Sequence, residues 1–307
     1  MRITFCCSNT KPEPWIAGIA QALADAEISV WTPGAPQADF AIVWAPPQQF
    51  IDEQGSGLQC MFNIGAGVDA LLRLKLPPNL VLVRLDDAGM AVQMAEYVCQ
   101  AVIRHYRELD CYERDIKAGQ WTFRKPLERS DFPIGVLGLG VLGTRVLRAL
   151  QMFEFPVHGY SRSAKALPGV RCFTGPDELP EFLKSTRVLV NLLPLTNATE
   201  NILDYERLSQ LQPSAYLINV ARGAHLVDAD LLRLLDLGHL AGATLDVFRT
   251  EPLPSDHPFW QQPKIGITPH TSARTVRDQS IAQIVSKIRA LERGEAVSGV
   301  VDVGRGY

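Results

Sequence analysis

The apolar run Ile134 to Leu137 passes directly into Gly138-Leu139-Gly140-Val141-Leu142-Gly143, and a helical pattern through Val146, Leu147 and Leu150 follows. A G-x-G-x-x-G stretch between a strand and a helix restricts the fold severely. The first glycine permits a tight turn, the second lets backbone approach a pyrophosphate, and the third lets helix and strand pack closely. The helix start adds unbonded N–H groups and a partial positive charge. Gly138, Gly140 and Gly143, with Leu142 between them, are therefore the expected phosphate-cradling residues of a Rossmann-type, dinucleotide-binding unit.

The rest of the chain fits that frame. Apolar runs Ile3 to Cys7, Ile28 to Trp31, Phe40 to Trp44, Cys60 to Ile64 and Val81 to Leu85 alternate with amphipathic stretches. A second series runs Ile134 to Leu137, Val157 to Tyr160, Val188 to Leu193, Ala215 to Val220, Ala243 to Val247 and Lys264 to Thr268. Near-continuous apolar strands with intervening helices predict an α/β protein of two doubly wound parallel sheets. Between the series, one long helix is expected from the stripe Met94, Val98, Ala101, Val102, Tyr106 and Leu109. An irregular boundary loop is expected from Ala118 to Pro133. A final helix with Ile281, Ile284, Val285, Ile288 and Leu291 on one stripe ends before Gly294. It is expected to return to the first unit, so the second is an insertion. The expected division is 1–99 plus 272–307 for the substrate unit and 100–271 for the nucleotide unit.

About 20 residues beyond the glycine turn, a carboxylate would hold an adenosine ribose 2′-hydroxyl. The sequence there is Tyr160-Ser161-Arg162-Ser163-Ala164-Lys165, with no acid. Hydroxyls, a guanidinium and an ammonium suit a dianionic 2′-phosphate, so Ser161, Arg162, Ser163 and Lys165 predict NADP(H).

The net charge of −3 supplies no basic field for nucleic-acid binding. No stretch approaches the ~18 apolar residues of a membrane span. A small molecule is thus the expected ligand. The six cysteines are scattered without C-x-x-C spacing, and Cys6 and Cys7 point to opposite faces of one strand, which argues against a disulfide between them. No His, Cys or carboxylate cluster has metal-ligand spacing, so no metal site is expected. The amino terminus turns polar too early for a secretory signal, and a cytoplasmic location is expected.

Three segments fall at strand ends in the second series: Asn219-Val220-Ala221-Arg222-Gly223, Leu245-Asp246-Val247-Phe248-Arg249-Thr250-Glu251-Pro252-Leu253-Pro254 and Thr268-Pro269-His270. Open α/β sheets place their ligands at such ends. Arg222 can clamp a carboxylate and polarise an adjacent carbonyl, His270 can deliver the proton that accompanies hydride transfer, and Glu251 can orient that imidazole. Those three groups are what reduction of a 2-keto acid requires.

With the glycine turn, these segments resemble the D-2-hydroxyacid dehydrogenase family, whose N-x-A-R-G, L-D-V-F-x-x-E-P-L-P and T-P-H segments occur in this order. The likeness covers Gly65-Ala66-Gly67-Val68-Asp69 and Asn191 to Thr196 with Thr199. Val43 to Pro47, Asp87 to Met90 and the ending Gly299 to Tyr307 resemble the glyoxylate/hydroxypyruvate reductase A group. The resemblance implies a Rossmann-type cofactor domain inserted into a flavodoxin-like substrate domain. It implies that Arg222, Glu251 and His270 are catalytic, and that Leu193, Pro194, Thr199, Val220, Ala221 and Asp246 contact the cofactor. Ala66, Gly67, Arg222 and His270 would bind substrate. Trp44 and Met90 either shape that pocket or pack in the core. Arg249-Thr250 departs from the acidic residues common before the Glu, and a change of local charge alone is expected there.

The implied activity is NADPH-dependent reduction of glyoxylate or hydroxypyruvate, and the implied assembly a homodimer, with Trp121 in a loop that reaches a neighbouring subunit in some relatives. An NAD-dependent enzyme for another 2-keto acid, or a non-catalytic dinucleotide sensor, uses the same fold.

Overall fold

The computed structural model describes Met1–Tyr307, and its contacts divide the chain into two compact units, Met1–Met90 with Arg274–Tyr307 and Ala91–Ala273. In the first unit, β1 (Arg2–Cys7), β2 (Glu27–Val30), β3 (Phe40–Trp44), β4 (Cys60–Asn63) and β5 (Leu82–Arg84) alternate with α1 (Glu13–Ala22) and α2 (Gln48–Gln54). All pairings are parallel and the order is β2-β1-β3-β4-β5, the flavodoxin-like arrangement. Phe40, Ile42, Cys60 and Phe62 pack on one face, and Ala41, Val43 and Met61 on the other. Alternate residues of buried strands thus serve two cores.

The second unit opens with α3 (Met90–Tyr106) and α4 (Leu109–Lys117). It continues through β6 (Ile134–Leu137), α5 (Val141–Met152), β7 (Val157–Ser161), β8 (Arg171–Thr174), α6 (Gly175–Lys184) and β9 (Val188–Asn191). Then come α7 (Tyr205–Leu208), β10 (Ala215–Asn219), α8 (Asp228–Asp236), β11 (Leu240–Leu245) and β12 (Ile265–Ile267). The order β12-β11-β10-β9-β6-β7-β8, read from β8, is the Rossmann order with one further strand.

Register does the work of placing chemistry. Leu137, Asn191, Asn219 and Leu245 lie in one row across β6, β9, β10 and β11. The next residue of each strand, Gly138, Leu192, Val220 and Asp246, therefore emerges at the same carboxyl edge, where the chain turns outward.

After the second unit, α9 (Arg277–Glu292) sets Ile281, Ile284, Val285 and Ile288 into the core of the first. Gly18 on α1 makes this possible, since a β-carbon there would lie 2.7 Å from Ile281 Cδ1. Lys287 extends from α9 to the carbonyls of Arg84 and Ser298 and to Asp86 Oδ2 at 3.1 Å. These contacts fasten residues 298–301 along β5, where Arg84 N–H donates to Gly299 and Val301 N–H to Leu82.

Three details differ from expectation. The contact boundaries fall after Met90 and Ala273 rather than after residues 99 and 271, because Met94, Ala95, Val98 and Cys99 already pack in the core of the second unit. The long helix ends at Tyr106, since Glu108 adopts a left-handed conformation with φ 52, and Leu109 begins a separate helix without buried residues. Strand β8, with its polar Arg171 and Thr174, carries too weak an apolar pattern to show in the sequence.

Candidate active site

The glycine turn follows from backbone sterics. Gly138 has φ +102, and a β-carbon on it would lie 2.6 Å from the carbonyl oxygen of Leu192. A β-carbon on Gly143 would meet the Gly138 carbonyl oxygen at 1.8 Å. Gly140 is different: it caps α5, and a β-carbon there would meet nothing within 4 Å. Two glycines are thus needed for packing and one faces open space beside a helix start, as a pyrophosphate cradle requires. Leu142 is half-buried. Gly138 N–H donates to Tyr160, which brings the end of β7 beside this turn. There Ser161 donates its hydroxyl to the Ser163 carbonyl at 2.8 Å, so it shapes the loop, while Arg162, Ser163 and Lys165 are exposed. The residues present fit a phosphorylated dinucleotide.

At the ends of β9 and β10, two buried asparagines hold the neighbouring loops. Asn191 Nδ2 donates to Asn219 Oδ1 and to His225 Nδ1, both at 3.0 Å. His225 Nδ1 is therefore the acceptor, leaving Nε2–H to face the Pro194 carbonyl at 3.3 Å. Asn191 Oδ1 accepts from Leu193 N–H, and Thr199 Oγ1 donates to Pro194. Asn219 Oδ1 also accepts from Ala221 N–H, and its Nδ2 donates to the Arg222 carbonyl at 3.1 Å. Val220 and Ala221 are buried and Arg222 half-buried. The expected contact residues Leu193, Pro194, Thr199, Val220, Ala221 and Arg222 thus share one hydrogen-bonded frame. Sequence reading placed Asn191 and Asn219 within the family-like segments but assigned no role to their side chains or to His225. The available signal was an Asn ending each of two apolar strands.

Asp246 is fully buried at the end of β11. Its Oδ1 accepts from Thr268 Oγ1 and Thr271 N–H, and its Oδ2 from Ser272 N–H at 2.8 Å. Thr268 spends its proton on Asp246, so the 2.5 Å contact with Tyr97 is donated by the tyrosine hydroxyl. Burial pushes the Tyr97 phenol up to about 12, which keeps that donor protonated. In this arrangement Asp246 anchors the loop bearing His270. The implied cofactor contact for Asp246 has no exposed carboxylate behind it.

His270 N–H donates to the Asp246 carbonyl, and its own backbone is left-handed, with φ 53. The exposed imidazole then places Nδ1 2.7 Å from Glu251 Oε2. Glu251 Oε1 accepts from Phe248 N–H at 2.9 Å. Partial burial pushes the Glu251 carboxyl up, but hydrogen bonds from His270 and Phe248 and the charges of His270 and Arg222 outweigh it and hold it below its usual range. Glu251 therefore stays ionised where an ordinary glutamate begins to take up a proton. With Nδ1 engaged by a carboxylate, Nε2 is the nitrogen left to serve a substrate.

In the first unit, Asn63 Nδ2 donates to the carbonyls of Gly65 and Gly67, fixing the loop that contains Ala66. The Trp44 ring lies on Gly65, where a β-carbon would come within 2.4 Å of it. Trp44 is 38% exposed and Met90 is 6% exposed, so the tryptophan belongs to the surface and the methionine to the interior.

An α/β chain with a dinucleotide cradle and an Arg, Glu and His on adjacent strand ends is built as a nicotinamide-type dehydrogenase. Residues 99–272 match the family model described as D-isomer specific 2-hydroxyacid dehydrogenase, NAD binding domain, and the chain belongs to that family. A relative from Serratia proteamaculans named glyoxylate/hydroxypyruvate reductase A is 45% identical over 314 residues, covering 100% of both chains. Among solved structures, a D-isomer specific 2-hydroxyacid dehydrogenase from Xanthobacter autotrophicus Py2, in complex with NADPH and MES, has TM-score 0.95 and 36% identity. The alignment covers 100% of this chain and 99% of that one. An NADPH-dependent glyoxylate/hydroxypyruvate reductase from Sinorhizobium meliloti, with NADP and sulfate, has TM-score 0.93 and 32% identity, again covering 100% and 99%.

Gly223 sets the geometry after Arg222. A β-carbon on it would lie 1.8 Å from the Phe248 carbonyl carbon. Gly223→Ala must therefore push the Arg222 turn away from the Glu251 loop. Because the obstacle is backbone, steady-state kinetics should show kcat reduced at least about tenfold, with a melting temperature several degrees lower.

Proposed function

We propose that this chain reduces a small 2-keto acid, with glyoxylate and hydroxypyruvate as the leading substrates, to the D-2-hydroxy acid at the expense of NADPH. The observation that carries this reading is the His270–Glu251 pair on the same strand-end edge as Arg222 and the glycine turn. The 45% identical relative bears the name of that activity, and both structural neighbours hold NADP or NADPH.

When bound, the nicotinamide cofactor supplies the hydride. Gly138, Gly140 and Gly143 would hold its pyrophosphate, with Leu142 beside them, while Arg162, Ser163 and Lys165 would take the 2′-phosphate on a loop shaped by Ser161. Leu193, Pro194, Thr199, Val220 and Ala221 would line the nicotinamide side, above the buried Asp246. Arg222 holds the substrate carboxylate and polarises the keto oxygen, which draws electron density from the carbon that is reduced. Protonated His270 donates from Nε2 to the oxygen as negative charge develops there. Glu251 orients the imidazole and balances its charge. Ala66 and Gly67 offer backbone N–H groups to a carboxylate, and Trp44 is the side chain lying over that loop.

We further propose a cytoplasmic homodimer. No helix is long and apolar enough to cross a membrane, and all six cysteines are free, which suits a reducing compartment. In the second unit, α4 buries no residue, and Ile116, Trp121 and Phe123 are exposed within a few residues of one another. Such an apolar cluster suits a subunit contact. Sedimentation equilibrium should give twice the chain mass, and Trp121→Glu should shift it toward the monomer; a wild-type monomer at micromolar concentration would refute the dimer.

The activity is tested by steady-state kinetics with glyoxylate, hydroxypyruvate, pyruvate and phenylpyruvate, each with NADPH and NADH. The two small acids with NADPH should give the highest kcat/KM, and Arg162→Asp should raise KM for NADPH far more than for NADH. Preference for NADH, or equal effects of the substitution on both, would sink the NADP assignment. Nucleotide binding with no turnover of any 2-keto acid would make the chain a sensor instead.

A further inference from the structure

The sequence alone suggested that Arg249 merely changes a local charge, but its side chain does more. Nη2 donates to Asn201 Oδ1 at 2.5 Å, to the Leu226 carbonyl at 2.9 Å and to the Ala224 carbonyl at 3.2 Å, while Nη1 lies 3.5 Å from Glu200 Oε1. One guanidinium thus reaches two separate segments from a third. The third is the loop carrying Glu251, two residues on. Ala224 and Leu226 lie two and four residues after Arg222, and residues 200–201 end the stretch that begins with Leu193 and Pro194.

The same three segments already touch through backbone. Phe248 and Arg249 pass over Gly223, and Asn201 N–H donates to the Ala224 carbonyl. Leu203 N–H donates to His225, and Val227 N–H to Leu203. Asn201 sits in a left-handed turn with φ 56, so its short amide can turn back toward the guanidinium. Backbone contacts fix the separation of these loops. The guanidinium, planar and with several donors in a fixed fork, fixes their relative orientation.

We propose that Arg249 is a positioning residue that holds the Arg222 turn in register with the Glu251–His270 pair. Its guanidinium bonds go to the loops it joins, and it acts through them. This inference rests on the reductase reading, because its kinetic consequence requires that Arg222 and His270 act on one substrate.

The test compares R249A and R249K with the full-length wild type in three measurements: kcat and KM for the best 2-keto acid at saturating NADPH, NADPH affinity by fluorescence, and hydrogen exchange at individual amides. R249A should lower kcat by about tenfold to a hundredfold, because a small misplacement between two groups acting on one transition state is costly. NADPH affinity should stay within about threefold, since the glycine turn and Arg162 are untouched. Exchange should rise at Asn201, Leu203 and Val227. R249K, which restores a cation able to reach some of the same acceptors, should recover part of both losses.

Wild-type kcat and unchanged exchange in R249A would overturn the proposal. So would a loss of kcat matched by equal loss of NADPH binding, which would mark a structural role only. If R249A fails to fold, N201A removes one acceptor and should give a smaller loss of the same kind; unchanged kcat and exchange in that variant would equally overturn it. If the wild type reduces no 2-keto acid, the reductase reading fails, and exchange in R249A still decides whether the clamp exists.

Discussion

A carboxylate taken fully out of water costs several kcal/mol unless its oxygens find donors, and the second unit is arranged around meeting that demand at Asp246. The Thr268 hydroxyl and the Thr271 and Ser272 N–H groups supply the donors, and Tyr97 extends the chain from α3. Three residues beyond β12, Thr268, Thr271 and Ser272, are thereby tied to one side chain. His270 lies among them. Its N–H is taken by the Asp246 carbonyl and its backbone is held left-handed, a conformation that a non-glycine residue adopts at a cost. The imidazole meets Glu251 because of the anchor beneath it.

On the neighbouring strands the same principle recurs with neutral groups. Asn191 and Asn219 face each other across β9 and β10, and each of their polar atoms is used to hold a turn. Arg222 inherits its backbone placement from Asn219, as His270 does from Asp246. Glycine at 223 then permits the Phe248 backbone to pass at contact distance. Donors and acceptors that would be costly if buried alone instead specify a single loop arrangement.

Much of this could be read from residues whose role is local. The glycine turn is legible because each glycine answers to sterics within its own strand and helix. The strands are legible because sheets covered on both faces need uninterrupted apolar runs. Arg222, Glu251 and His270 stood out as ionisable groups at strand ends, though their distances did not. What stayed hidden depends on partners far along the chain. Arg249 looked like a charge change because Asn201 and Leu226 are 48 and 23 residues away. His225 lies two residues beyond the Asn219 to Gly223 segment, and its partner Asn191 is 34 residues distant. The end of α3 was missed because Glu108 adopts its turn without glycine or proline to announce it.

The central claim is that Arg222 and His270 act as one unit on a single keto oxygen and carboxylate. A double-mutant cycle on kcat/KM for glyoxylate with NADPH, using Arg222→Gln and His270→Ala, tests it most directly. Each single variant should lose about a thousandfold, and the double variant should lose little more than the worse single one, because either removal already abolishes the concerted polarisation and proton delivery. Fully additive losses would show that the two side chains serve independent steps and would contradict the account.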